Sequence, residues 1–499
     1  MVRSRRIRVA SLLPLLVLLG ACKQQKHAEP ATAVAPAAIA PNAAPKDLSS
    51  EPGNVYEVTY RPETVVVPRA AILRSIQSVS TDGTVAVFDE TEPALQGLAP
   101  GKVVLLERVA LRRVRALAHD GGHLAVAFEP VTLPEAIQKG TIKWNIPVRF
   151  AKLARRDLPV LPRRESPLRW LTDLALPSAL ALPTAKTTSG GYSLSGEKAG
   201  WKYQLDATRG PERVDLALDM KKSVNNIEVS VEAQGYVPDF ETLASIDIVD
   251  GATSSIHGQT KHLSGEVSFN VSAATKGTPG GFGKKQVRLP AILKAPFFLG
   301  ALPMTLEIST AITFTPGLGA NNQLATAKFK VQYSDLGGFS FQGGQKAATP
   351  EGAGDGNGEI LDFQGVTLAG IGVVAGVAMP RLEAKLGTSS IVDMIEKALP
   401  TGLADVLQRT LLGGVATDAL AEAEESIKTE GAMHVQVVLV GSILASGPTS
   451  LIPCRKSTFN FRADAGADAS VLGKALPEVS VDLFKKEVVK TVPEGVKCG

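Results

Sequence analysis

"RVDLALDMKKSVNNIEVSVEAQGYV", Arg213 to Val237, decides the fold class. Val214, Leu216 and Leu218 alternate with Asp215, Ala217 and Asp219; after Asn225-Asn226, Ile227, Val229 and Val231 alternate with Glu228, Ser230 and Glu232. A strict period of two sets one row of side chains against a core and the other in water, which suits an antiparallel sheet and not a parallel α/β core. The Asn pair sits where the chain must reverse, and Asn tolerates the left-handed backbone that tight turns need. The same alternation runs through "GGYSLSGEKAGWKYQLDA" from Gly190, "LSGEVSFNVSAATKG" from Leu263 and "ATAKFKVQYSDLGGFSFQGG" from Ala325. The expected fold is mainly β, with antiparallel sandwich or barrel-like domains.

Outward from this stretch the pattern changes twice. Between Ser389 and Thr429, Ile391, Ile395 and Leu399, then Leu403, Leu407 and Leu411, recur every fourth residue, with breaks at Pro400 and Gly413-Gly414. That spacing predicts a short amphipathic helical segment at 389–429 within the C-terminal domain. Strands resume in "HVQVVLVGSILA" and "TFNFRADA". Towards the amino end, 53–152 again reads as short strands rich in Val, Leu and Phe, with Asp82-Gly83 and Asp120-Gly121-Gly122 as hairpin turns. A stretch rich in Pro, 153–188, reads as a linker to a large β-rich domain at 189–499.

The first residues carry Arg3, Arg5, Arg6 and Arg8 before an apolar run ending in Leu19-Gly20-Ala21-Cys22. A cationic start and a short apolar run make a signal peptide, too short for a membrane-spanning helix of about 20 residues. These residues resemble the bacterial lipobox. The resemblance implies a lipoprotein signal peptide at 1–21, cleavage before Cys22, acylation of its thiol and amino group (palmitate-type chains), and a cell-envelope protein held by lipid. Lys23 after the cysteine implies the outer membrane, on its periplasmic or surface face. Residues 22–52, rich in Ala and Pro, read as an extended stalk that cannot bury a core. A further resemblance covers 78–152. Its "GKVVLLERVALRRVRAL" and "VTLPEAIQKG" are similar to a small β module near the amino end of secreted bacterial surface proteins, and this sets a domain boundary only.

Removing 1–21 removes those four arginines and no acid; of 53 basic and 49 acidic residues, 49 of each remain. Charge therefore gives no support for nucleic acid as a partner. Of the three cysteines, Cys454 and Cys498 are expected to form a disulfide, as two cysteines in an exported chain most simply do. No metal site or cofactor is expected. The six histidines include the pairs His119/His123 and His257/His262, which read as hairpin polar groups more readily than as ligands. No Gly-x-Ser-x-Gly elbow, phosphate-binding loop or His-Glu-x-x-His pair occurs, and no catalytic residue is singled out. The expected role is a membrane-anchored, non-enzymatic structural or interaction module with a protein, glycan or hydrophobic partner. The alternative is a carrier of lipid or another hydrophobic ligand in an apolar cavity between the β body and the helices of 389–429. The apolar runs Leu289–Met304 and Val366–Pro380 are candidate walls for such a cavity.

Overall fold

In a computed structural model, the described residues are 46–150, 184–275, 285–366, 373–386, 432–445, 454–473 and 478–495, with short breaks at 81–83, 189–190, 199, 225, 317–323, 346 and 353. They are mainly β, as the alternation requires. Four sheets carry nearly everything, none closes on itself among the described residues, and the helices are short.

The opening stretch supplies the hairpin Arg213–Val224 and Ile227–Pro238, with Asn226 at φ 62° in its turn. It sits in the middle of an eight-stranded antiparallel sheet whose other members are Thr184–Thr188, Gly191–Lys198, Trp201–Arg209, Gly265–Thr275, Leu324–Ser334 and Asp355–Val366. We call this the meander sheet. Its edge strand Thr184–Thr188 begins inside the stretch expected as linker. Three of its strands continue, after one to three residues, into a second sheet. Ile227–Pro238 runs into Phe240–Val249, Ala252–Lys261 runs into Gly265–Thr275, and Leu324–Ser334 runs into Gly337–Gln342. Short polar bonds hold the corner. The His262 amide donates to Asp335 Oδ1 (3.2 Å) and the Asp335 amide to Ser264 Oγ (3.2 Å). Gly337 is required there, because it has φ 74° and a Cβ on it would lie 2.4 Å from the Glu351 carbonyl oxygen.

The second sheet also contains Val55–Tyr60 and Ile137–Val148, and the latter pairs with Phe240–Val249 from Gly140 to Val148. Sheet pairing thus crosses the domain boundary expected at 152. The amino-terminal residues 65–130 build a separate six-stranded sheet around Ile72, Phe88, Val104, Val126 and Phe128. Its strand Val103–Leu106, "VVLL", is buried on both faces, since Val104 and Leu106 serve the local core and Val103 and Leu105 the main one. Arg69–Ser75, which the sequence pattern groups with strands, is a helix.

The fourth sheet, here the central sheet, pairs Leu293–Leu299, Leu302–Pro316, Val373–Leu386, Ala432–Ala445, Arg455–Asp468 and Glu478–Val492. The described parts of the two apolar runs lie mainly in strands of this sheet, with Ala375, Val377 and Met379 fully buried. Its inner face meets both the second sheet and the meander sheet. A file of rings crosses the latter contact: Phe269 and Phe329 of the meander sheet stack at 4.8 Å, Phe329 and Phe459 of the central sheet at 4.8 Å, and Phe459 and Phe461 at 5.3 Å. Two stacked aromatics contribute roughly 0.5–1.5 kcal/mol beyond their burial. The chain enters the body through Lys46–Asp47, a parallel partner of Phe297–Phe298, so the last residues expected as stalk belong to the central sheet. Arg108 clips this entry. It pairs with Asp47, donates to the Gly300 carbonyl (3.1 Å) and lies 5.5 Å from the centroid of Phe298. The expected helices of 389–429 lie outside the described residues.

Candidate functional site

On the meander sheet the polar half of each alternation faces out, and register assembles it into two rows. Asp206, Ala217, Gln234, Ser268 and Lys330 form one row of cross-strand partners; Thr208, Asp215, Tyr236, Glu266 and Gln332 form the next. Cross-strand neighbours lie about 5 Å apart, so large side chains around a small one leave a hollow. Ala217 and Ser268 are those small positions, and around them opens a groove of about 300 Å³.

Its chemistry is dominated by acceptors. Glu266 is held by Lys330 (2.8 Å) and by the Gln332 amide (2.9 Å), which keep its carboxyl below the usual carboxylate range. Asp215 pairs with Arg213 (3.1 Å), and the same guanidinium lies 4.8 Å from the centroid of Tyr236, which fixes the ring along the groove. Asp206 accepts the Gln204 amide (2.9 Å) and faces no cation among the described residues. Three carboxylates against two cations leave an open, acceptor-rich surface that suits a partner bearing N–H or O–H donors.

A second concentration of charge lies on the outer face of the central sheet, near its Leu386 end. Glu383 is 2 % exposed and Glu307 3 %. Lys385 lies 2.7 Å from Glu307 and 3.5 Å from Glu383; Arg381 lies 2.7 Å from Glu383 and donates to Gln436 (2.6 Å). Gln436 passes the chain on to Asp464 (2.7 Å), which also faces His434 at 3.5 Å and Arg462 at 3.3 Å. Burial by itself would raise the Glu383 carboxyl, but the charges of Lys385, Arg381 and Arg288 outweigh it and bring it down to about 2. Asp464 is treated alike: burial opposes ionisation, and hydrogen bonds from His434 and Gln436 with the Arg462 charge hold its pKa below the ordinary value. Lys385 pairs across strands with Glu307, and Gln436 links Arg381 to Asp464 across three strands, while Glu383 takes its nearest cations from its own strand; the cross-strand pairs hold the register of the sheet.

Cys454 is buried (3 % exposed) immediately before the strand Arg455–Asp468, and Cys22 and Cys498 lie outside the described residues. His119 pairs with Glu90 (2.7 Å) and His257 with Glu351 (2.6 Å), each with one carboxylate. Among the described residues no three His, Cys, Asp or Glu side chains gather as a metal site. The crevice between the central and second sheets, lined by Trp144, Phe240, Gly258, Phe339 and Met433, holds about 30 Å³. That is room for roughly one water molecule.

Residues 47–139 match the model of a domain of unknown function, DUF8403, which covers the amino-terminal sheet and its junction with the strand Ile137–Val148. No curated protein and no solved structure matches the chain. No helix among the described residues is long and apolar enough to cross a membrane, which says nothing of crossing by strands. Sequence reasoning placed Asp215 and Ala217 of the groove on the polar face of their strand. It missed the groove because a hollow depends on which small residues of different strands become neighbours, and register is invisible in one strand alone.

Proposed function

We propose that the chain is a lipid-anchored cell-envelope protein that works as a non-enzymatic interaction module, tethered through Cys22 and the stalk. On this reading the meander and central sheets are the layers of an antiparallel sandwich, a view their facing aromatic rings favour. The observation that carries the proposal is the groove: an open, rigidly backed, acceptor-rich surface on the face that the sandwich turns to solvent. Its occupant is a protein of the envelope with Lys or Arg at its contact surface, which would meet Asp206 and Asp215.

The test has two arms. Cys22→Ser should move the protein out of the membrane fraction, and continued tight association would remove the anchor from the proposal. A photoreactive amino acid at Ala217 should give a discrete adduct in cells, weakened by Asp206→Asn with Asp215→Asn. No adduct, or one indifferent to those charges, would remove the groove.

A further inference from the structure

We infer that the free edge of the central sheet, the strand Glu478–Val492, pairs antiparallel with the same strand of a second copy of this chain, so that two bodies share one continuous sheet. This edge is a different surface from the groove, and pairing there is independent of what the groove holds.

Glu478–Val492 ends its sheet. Among the described residues it pairs along its whole length with Arg455–Asp468 and with no other strand. A sheet edge presents a row of unpaired N–H and C=O groups, and proteins ordinarily blunt such rows with short strands, bulges or charges that repel a second edge. The other edges here are blunted in those ways. Lys46–Asp47, Thr349–Glu351, Val65–Val67, Ile76–Val79 and Lys285–Arg288 have two to four residues, and Thr184–Thr188 has five. Val55–Tyr60 has six, with an irregularity at Thr59, and Leu293–Leu299 has seven, interrupted by Pro296 and partly covered by Lys46–Asp47. Asp355–Val366 is long, but an irregularity opposite Lys328 and Phe329 breaks it, and Asp355, Glu359 and Asp362 would repel their copies. Glu478–Val492 has fifteen residues, and after a bulge at Leu483 it runs regularly from Phe484 to Val492. Lys485, Lys486, Glu487, Val489 and Lys490 along it are exposed.

Charge selects a second copy as the occupant. Lys486 and Val488 pair with Phe461 and Phe459 and share their inner face, so Lys485 and Glu487 lie on the outer one. Among the described residues neither Lys485 nor Glu487 has an ion pair in its own chain, and Lys485 stands opposite Arg462, an unfavourable like-charge neighbour. Two copies related by a two-fold axis through the shared sheet contact reciprocally, and a side-chain period of two restricts them to registers that keep inner face with inner face. With Lys486 at the axis, Lys485 faces Glu487 of the second copy twice, and Phe484 faces Val488 twice. Lys486 meets its own copy there, but its charge is taken by Asp355 of the meander sheet at 2.5 Å. Centring on Lys485 or Glu487 instead would set a charge without an ion pair against its copy, and centring on Val488 would set Lys486 against Lys490. If Leu483 is left out of the pairing, as it is towards Arg455–Asp468, Thr491 comes opposite Ser480, and Val492, 38 % exposed, comes opposite Val479. The edge complements itself in both charge and apolar contact.

The experiment uses acyl-free protein, Lys23–Gly499, so that the lipid anchor cannot cause association. Sedimentation equilibrium over a dilution series should show monomers in equilibrium with dimers. Lys485→Glu or Glu487→Lys, both at exposed positions, turns two ion pairs between copies into two like-charge pairs and should raise the dissociation constant about tenfold. The double exchange restores opposite charges and should restore the wild-type constant. Register has its own readout. An equal mixture of Lys485→Cys and Glu487→Cys chains should oxidise to a covalent mixed dimer in preference to either variant alone, because directly opposed positions bring Cβ atoms within disulfide reach and copies of one position lie on a diagonal. A monomer at every concentration overturns the inference, including the case in which the edge takes only a strand of another protein. A dimer indifferent to both charge reversals, or one that the double exchange fails to restore, overturns it as well. Adducts at Ala217 bear on the groove alone.

Discussion

Glu383→Gln tests the charge ladder, and pH separates its electrostatic part from packing. The Glu383 carboxyl, 2 % exposed, has its pKa lowered from 4.5 to about 2 by Lys385, Arg381 and Arg288 acting against burial. A carboxyl depressed in the folded state contributes stability that is complete above its unfolded value and fades as pH falls through the folded one. The full contribution at pH 7 is roughly 3 kcal/mol, at about 1.4 kcal/mol per unit, and by pH 3 only about 1 kcal/mol of it remains. Gln keeps the shape and one acceptor but loses the charge. Lys385 retains Glu307 at 2.7 Å and Arg381 retains Gln436 at 2.6 Å, so neither cation is stranded. The cost at pH 7 is therefore about 3 kcal/mol, the low end for removing one partner of a buried pair. Urea unfolding of wild type and variant at pH 7 and pH 3 should show the gap shrinking to about 1 kcal/mol at the lower pH. A gap equal at both pH values would mean that packing sets the cost, and the electrostatic account of the ladder would be wrong.

Gly441 lies against the ring file, and a Cβ on it would sit 2.2 Å from Phe329. Gly441→Ala should cost about 1–3 kcal/mol in the same urea titration, as overpacking does, and unchanged stability would refute the close packing of the two sheets through Phe329. The pairing of Arg455 with Val492 brings the end of the last strand beside Cys454, six residues short of Cys498. The Cys454–Cys498 bridge should leave neither thiol open to alkylation before reduction and both open after it. Two free thiols in the native exported protein would rule it out.

The strands were legible wherever one face is wet. Val214 to Asp219 and Ile227 to Glu232 show their period of two because the meander sheet has a core on one side and solvent on the other. The central sheet hides that period at its Val373 end, where outward Val374, Ala378, Val438 and Val440 are as apolar as inward Ala375, Val377 and Leu439. "VTLAGIGVVAGVAMP" therefore reads as a featureless apolar run, although it leads into a strand with two distinct faces. At its Leu386 end the ambiguity has the opposite cause. Arg381, Glu383 and Lys385 look in sequence like a solvated edge, yet Glu383 is buried because cations from the same strand close over it. Neither half betrays itself locally, since what distinguishes them is a neighbour on another strand.

That division along one face gives the two ends of the central sheet different outward surfaces. The irregularity between Ala378 and Arg381, matched by one between Ser309 and Ala311, falls where the outward face changes from charged to apolar. On the charged side Glu307 meets Lys385 of the neighbouring strand and Asp464 meets the Gln436 amide across the sheet, which fixes register near the entry of the chain at Lys46. On the Val373 side the outward positions mix Val374, Val438 and Val440 with Ser442, Thr458 and Asn460, and Val374 and Val489 stay exposed. Exposed valines on a sheet face are a standing risk of association in water. Exchanging these valines for threonine would remove the apolar surface and keep β-branched shape. It should therefore raise the concentration at which the protein stays monomeric, and an unchanged threshold would show that these valines do not drive association.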